Sequence, residues 1–129
     1  MDDLAERDCQ PCKNGDSPLS KPEINQLLAG LTGWKIVERE SIPRLEKNFQ
    51  FPDFKGALAF TNQVGRLAEE VDHHPAILLS WGRAAVSWWT FVVAGLHQND
   101  FILAARTDKL YYQHIQEEGE RNRDENYPS

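Results

Sequence analysis

Pro75 divides two periodicities in this chain. Before it, Ala57, Leu58, Thr61, Val64, Leu67, Ala68 and Val71 recur at helical spacing. After it, Ile77, Leu78 and Leu79 form a short apolar run of strand length. A proline disfavours helical geometry at the residue before it, so His74 is biased toward extended backbone. The join is therefore a short, stiff connection, Val71-Asp72-His73-His74-Pro75, that carries two adjacent imidazoles. Unperturbed histidine titrates near ~6.5, so such a pair suits proton transfer at neutral pH. Taken alone, the dipeptide more often signifies two ordinary polar loop residues.

The rest of the chain fits around that join. Ser20-Lys21-Pro22-Glu23 matches a capping box with proline in the first turn. Ile24, Leu27, Leu28 and Leu31 follow at helical spacing, and Gly30 and Gly33 mark a stop, which predicts a helix over 21–29. A strand opens at Trp34, Ser41-Ile42-Pro43 interrupts it, and alternation through Leu45, Lys47, Phe49 and Phe51 predicts an antiparallel partner. Asp53 caps a helix over 54–70, inside which Gly56 and Gly65 imply close packing. A strand over 77–81 turns at Gly82-Arg83 into a longer strand over 84–93. Alternation there places Ser87, Trp89 and Phe91 on one face and Val86, Trp88, Thr90 and Val92 on the other. A final helix over 100–116, capped near Asp100, has Phe101, Ala104, Ala105, Tyr112 and Ile115 for a buried stripe. The order helix-strand-strand-helix-strand-strand-helix implies an α+β fold, a four-stranded antiparallel sheet with three helices on one face.

At 129 residues the chain holds one domain. We expect a flexible arm over 1–18, the domain over 19–116 and a disordered charged tail over 117–129. The net charge of −6 argues against a phosphate-backbone partner. No apolar run approaches the ~20 residues that span a bilayer. Met1-Asp2-Asp3 lacks the basic start of a signal peptide, which makes the cytoplasm the expected compartment. Cys9-Gln10-Pro11-Cys12 is a C-x-x-C without a second pair or a strand–helix context. Zinc there would need His73, His74 or another chain; two incidental thiols on an exposed arm are the default, with no metal expected.

Glu69, then His73-His74-Pro75 after three residues, Trp81, Gly95-Leu96 and Asp100 form one register over some thirty positions. With Phe101-Ile102-Leu103-Ala104-Ala105 and the element order, this resembles a pterin-4a-carbinolamine dehydratase, over residues 19–114. One position departs from the family pattern. Past Trp81 and nine intervening residues the family usually has a histidine, and this chain has Phe91, which cannot carry a proton.

The resemblance implies a hydro-lyase that dehydrates 4a-hydroxytetrahydrobiopterin to quinonoid dihydropterin, in tetrahydrobiopterin recycling. It implies no metal or organic cofactor, because the pterin supplies its own electron push. His73 and His74 would be the catalytic pair, His73 as the main acid/base group and His74 orienting the pterin. Asp72, Pro75, Trp89, Thr90 and Phe91 would line the pocket. Glu69 and Asp72 would hold the imidazoles in the useful tautomer, with Trp81 and Asp100 in support. Family members form homodimers and homotetramers. Relatives of the fold also act without chemistry, as a transcriptional dimerisation cofactor or a Rubisco assembly factor, and Phe91 is the residue that favours such an alternative.

Overall fold

The computed structural model describes residues 4–10 and 17–125, with side chains to residue 118. Among these, α1 (Lys21–Leu28), β1 (Lys35–Arg39), β2 (Ile42–Gln50), α2 (Phe54–Val71), β3 (Ala76–Ser80), β4 (Arg83–Trp88) and α3 (Gln98–Glu125) follow in the expected order. The strands form one sheet, β1-β2-β4-β3, with every neighbouring pair antiparallel. The helices cover one face. Ser20 and Glu23 close the capping box reciprocally, and Asp53 caps α2 through Gly56 N–H at 2.8 Å.

The core lies between the central strands and the two long helices. Leu45 and Phe49 of β2, with Val86 and Trp88 of β4, meet Ala57, Phe60, Val64 and Ala68 of α2 and Phe101 and Leu103 of α3. Phe49 packs on both Phe60 and Tyr111 with ring centroids 4.9 Å apart. The Tyr111 hydroxyl donates to the Gln50 carbonyl at 2.8 Å, so the half-buried ring packs on the core with its polar tip satisfied. A Cβ on Gly56 would come 3.2 Å from the capping Asp53 Oδ1 and 3.4 Å from His114 Nε2 on α3, a tight fit that a glycine avoids. Gly65 has no neighbour within 4 Å of such a Cβ, so close packing does not explain it.

Several boundaries differ from the sequence reading. β2 starts at Ile42, because Glu40 and Ser41 both take positive φ (54° and 65°) and make a two-residue hairpin turn. Pro43 therefore sits inside the strand, opposite Glu38. The pair beside the loop, Arg39 and Ile42, is the hydrogen-bonded one, so Pro43 owes β1 no N–H. β4 ends at Trp88 rather than residue 93: Thr90 bridges to Gly95 and Phe91–Val93 curl into a 3-10 turn. Phe91 thus lies on no strand face.

Helix faces also shift. Phe60 is fully buried on α2, whereas Leu58 is 40% exposed. On α3 the buried residues are Asn99, Asp100, Phe101, Ile102, Leu103, Ala104, Thr107 and His114, while Tyr112 and Ile115 face outward. That helix runs to Glu125, so residues 117–125, expected to be disordered, continue it. Residues 4–10 are not a free arm either. Leu4 and Ala5 are buried in a 3-10 turn (Leu4–Glu6) against α3, and Arg106 donates to the Ala5 and Arg7 carbonyls at 3.0 and 2.6 Å. Backbone carbonyls, rather than an apolar stripe, supply that attachment, which is why periodicity does not reveal it.

The contrast on α2 gives a direct test. Phe60→Ala should lower the unfolding free energy by about 3–5 kcal/mol, as for other buried phenylalanines. Leu58→Ala should cost under about 1 kcal/mol, because much of that side chain stays in water. Chemical denaturation of both variants measures the difference, and equal losses would contradict the observed helix rotation.

Candidate active site

The site begins with the way α2 ends. Asp72 takes the left-handed conformation (φ 52°, ψ 46°), which short polar side chains tolerate better than most. The His73 N–H then reaches back to the Ala68 carbonyl at 3.1 Å, the outer bond of a Schellman closure. This reversal carries the His73 ring over the end of β4. There its Nε2 lies 2.8 Å from Asp100 Oδ1 and 3.1 Å from the Trp89 carbonyl oxygen, and the ring packs 5.9 Å from that of Trp88.

Asp100 is fully buried in the first turn of α3. Its second oxygen accepts from the Thr90 hydroxyl at 2.8 Å and from the His97 N–H at 2.9 Å. His97 answers as the helix cap: its Nδ1 accepts from the Asn99 N–H at 3.0 Å, and its carbonyl accepts from the Asp100 N–H. The exchange is a capping box in which histidine replaces serine and aspartate replaces glutamate. Thr90 is held in place by two backbone bonds with Gly95. Three donors and the positive end of a helix thus surround the carboxylate, which is what a buried charge requires.

These contacts fix the protonation chemistry of His73. Both partners of Nε2 are acceptors, so Nε2 keeps its proton and Nδ1 is the atom that titrates. Nδ1 has no hydrogen-bond partner among the described residues. Burial pushes the His73 pKa down, but the hydrogen bond and charge of Asp100, with the Trp89 carbonyl, outweigh it and raise the pKa above its usual value. His74 is different. Its Nε2 pairs with Glu69 at 2.8 Å, with both side chains largely in solvent, so the pair orients the ring more than it binds it.

A cavity of about 660 Å³ opens beside the two histidines. Of the residues proposed from sequence, Asp72, His73, His74, Trp89, Thr90 and Phe91 line it. Asp100 and Glu69 stand behind the imidazoles. Asp72 contributes through its backbone at the helix end, and its carboxylate holds neither ring. Pro75 shapes the connection without lining the cavity, and Trp81 is 70% exposed in the β3–β4 turn, outside it. Phe91 is 82% exposed on the cavity wall. The Arg44 guanidinium stacks 3.9 Å over the Trp89 ring and fixes that wall. Cys9, Gln10, Val71, Val92 and Asn99 also line the cavity, and sequence reasoning missed them. Val71 reads as part of the helical stripe and Val92 as a strand position beside Thr90, and the arm carries no pattern that points inward. Cys12 lies outside the described residues. Among the described residues, no group of three or more His, Cys, Asp or Glu side chains is placed to hold a metal ion. No helix among them is long and apolar enough to cross a membrane.

Known proteins resemble this chain in sequence and in fold. The family model described as Pterin 4 alpha carbinolamine dehydratase matches residues 17–110. A protein of Microcystis aeruginosa, provisionally named a pterin-4-alpha-carbinolamine dehydratase, is 54% identical over 113 residues, covering 88% of this chain and 97% of its own. One from Chlorobium limicola with the same provisional name is 50% identical over 86% of this chain and 98% of its own. A crystal structure from Brucella melitensis, described as a transcriptional coactivator/pterin dehydratase, superposes with a TM-score of 0.67 at 27% identity, over 74% of this chain and 99% of that one. A pterin dehydratase-like RuBisCO assembly factor of the alpha-carboxysome shares the fold, with a TM-score of 0.52 at 24% identity over 61% of this chain and 89% of its own. On the family match and these identities, the chain belongs to the pterin-4-alpha-carbinolamine dehydratase family.

Proposed function

We propose that this protein dehydrates a 4a-hydroxytetrahydropterin, with His73 as the principal acid/base group. The observation that carries this reading is the pairing of His73 with the buried Asp100 at the wall of a cavity. With Nε2–H committed to Asp100, Nδ1 is left to exchange a proton with whatever occupies the cavity. In its protonated form, His73 donates from Nδ1 to the departing 4a-hydroxyl, and the C–O bond breaks with water as the product. The ring nitrogen beside that carbon supplies the electron pair and gives up its proton to the now neutral Nδ1, which restores the imidazolium and leaves a quinonoid dihydropterin. Asp100 stabilises the imidazolium before transfer and preserves the tautomer afterwards. His74, steadied by Glu69, orients the pterin. The Trp89 and Phe91 rings offer apolar surface to a flat bicycle.

A second reading is favoured by Phe91 alone. A phenyl ring stands on the cavity wall where the family usually has a histidine, and an exposed ring suits contact with another macromolecule as well as with a pterin. In that reading the fold is retained for assembly and the chemistry is lost.

Kinetics separate the two. His73→Ala should lower kcat at least about tenfold in folded protein, whereas His74→Ala should act mainly on KM. Equal turnover for wild type and His73→Ala would remove His73 from its role. Phe91→His should raise kcat on the order of tenfold, since it returns a proton-transferring group to the wall. No dehydration by either protein, and no pterin binding, would leave the assembly reading in front.

The titration of His73 offers an independent check on folded protein. Its pKa is raised in the fold, so its protonated form contributes stability. That contribution is fully present below the unfolded value of ~6.5 and fades as pH rises through the raised folded value. The Tm advantage of wild type over His73→Gln should therefore be greatest at acidic pH and shrink as pH rises from the unfolded value through the raised folded one. An advantage that grows with pH would contradict the His73–Asp100 pairing.

A further inference from the structure

The N-terminal stretch is fastened to α3 at three levels. Nearest the site, the Asn99 side chain reads the Gln10 backbone at both of its groups: Oδ1 accepts from Gln10 N–H at 2.8 Å and Nδ2 donates to the Gln10 carbonyl. Further along the helix, Arg106 donates to the Ala5 and Arg7 carbonyls, and Lys109 pairs with Glu6. Asn99 is itself buried, directly precedes Asp100 and donates its N–H to the His97 cap. The same first turn of α3 therefore sets both the carboxylate behind His73 and the position of Gln10. Cys9 and Gln10, delivered by this attachment, line the cavity. Burial also pushes the Cys9 thiol up, so the group it presents there is uncharged.

We propose that Cys9 and Gln10 form a wall of the pterin cavity, anchored through the attachment of residues 4–7 to α3, and that Asn99 is a positioning residue that holds this wall through its two-point pairing with the Gln10 backbone. The inference rests on the pterin reading above and extends it to a segment outside the matched family region, residues 17–110. Asparagine suits the task because one amide carries both a donor and an acceptor. Aspartate keeps the shape but sets a carboxylate against the Gln10 carbonyl, with no donor between them. Arg106 lines no part of the cavity, so any effect of its loss on a ligand must pass through the arm.

The test uses the full chain and 7,8-dihydrobiopterin, a stable pterin, as the probe. Asn99→Asp and Arg106→Gln should each raise its Kd on the order of tenfold, the loss expected for one or two hydrogen bonds that position a wall. Together they should weaken binding little more than either alone, because an arm already released has nothing further to lose. In turnover, KM should rise more than kcat falls, which a general loss of fold would not produce. In a Cys12→Ser background, saturating pterin should slow alkylation of Cys9 several-fold. Wild-type Kd in both folded variants, with Cys9 unprotected, would overturn the proposal. A rise with Asn99→Asp and none with Arg106→Gln would overturn the arm's part in it, leaving Asn99 as a direct contact. Failure of the wild type to bind any pterin would overturn the dehydratase reading and this inference with it.

Discussion

The Asp100 carboxylate is the group on which the site depends. It is wholly buried, and its two oxygens serve three donors that come from different parts of the chain: His73 after α2, Thr90 after β4 and His97 before α3. A buried carboxylate is tolerated only where hydrogen bonds replace its water, so the three elements must arrive together or not at all. Removing one partner of such a buried pair costs about 3–5 kcal/mol, so the arrangement is held near one geometry. The His73 imidazole is thereby fixed by the same bonds that join helix to sheet.

The segment between β4 and α3 acquires its form from this requirement. Extending β4 would carry residues 89–93 along the sheet and leave Thr90 without its bond to Asp100. Instead the strand stops, Thr90 bridges to Gly95, and Ala94 accepts a left-handed conformation at φ 50°. The cost of that backbone is offset by a satisfied carboxylate. One consequence is that the Trp89 carbonyl points at His73, and another is that Phe91 and Val92 stand at the cavity instead of on a sheet face. Phe91 therefore sits at an exposed turn position, where a side chain can be exchanged without disturbing the core.

α3 has a double duty. Its buried face, from Phe101 through Thr107, closes the core, and Trp88 donates its indole N–H to the Thr107 hydroxyl at 3.1 Å. Its N-terminal turn carries the polar machinery, and Asn99, Arg106 and Lys109 hold the arm. A rigid helix of this kind can transmit position between the core and the cavity because both sets of side chains share one backbone.

Much of this was legible in the residues themselves. The Ser20 capping box, the Asp53 cap, the proline after His74 and the alternation in β2 are local signals, and local backbone chemistry determines what they produce. They were enough for the element order, the α+β class and the placement of His73 and His74 between α2 and β3. The register of Glu69, His73-His74-Pro75 and Asp100 also singled out the residues that the fold brings together. What the residues could not reveal were contacts that require a partner remote in sequence. That Phe60 rather than Leu58 faces the core depends on where α2 lies against Phe49 and Phe51. That β4 ends at Trp88 depends on a carboxylate ten residues beyond Thr90. The docking of residues 4–10 depends on side chains about a hundred positions away binding backbone carbonyls, which every residue has and no sequence pattern marks.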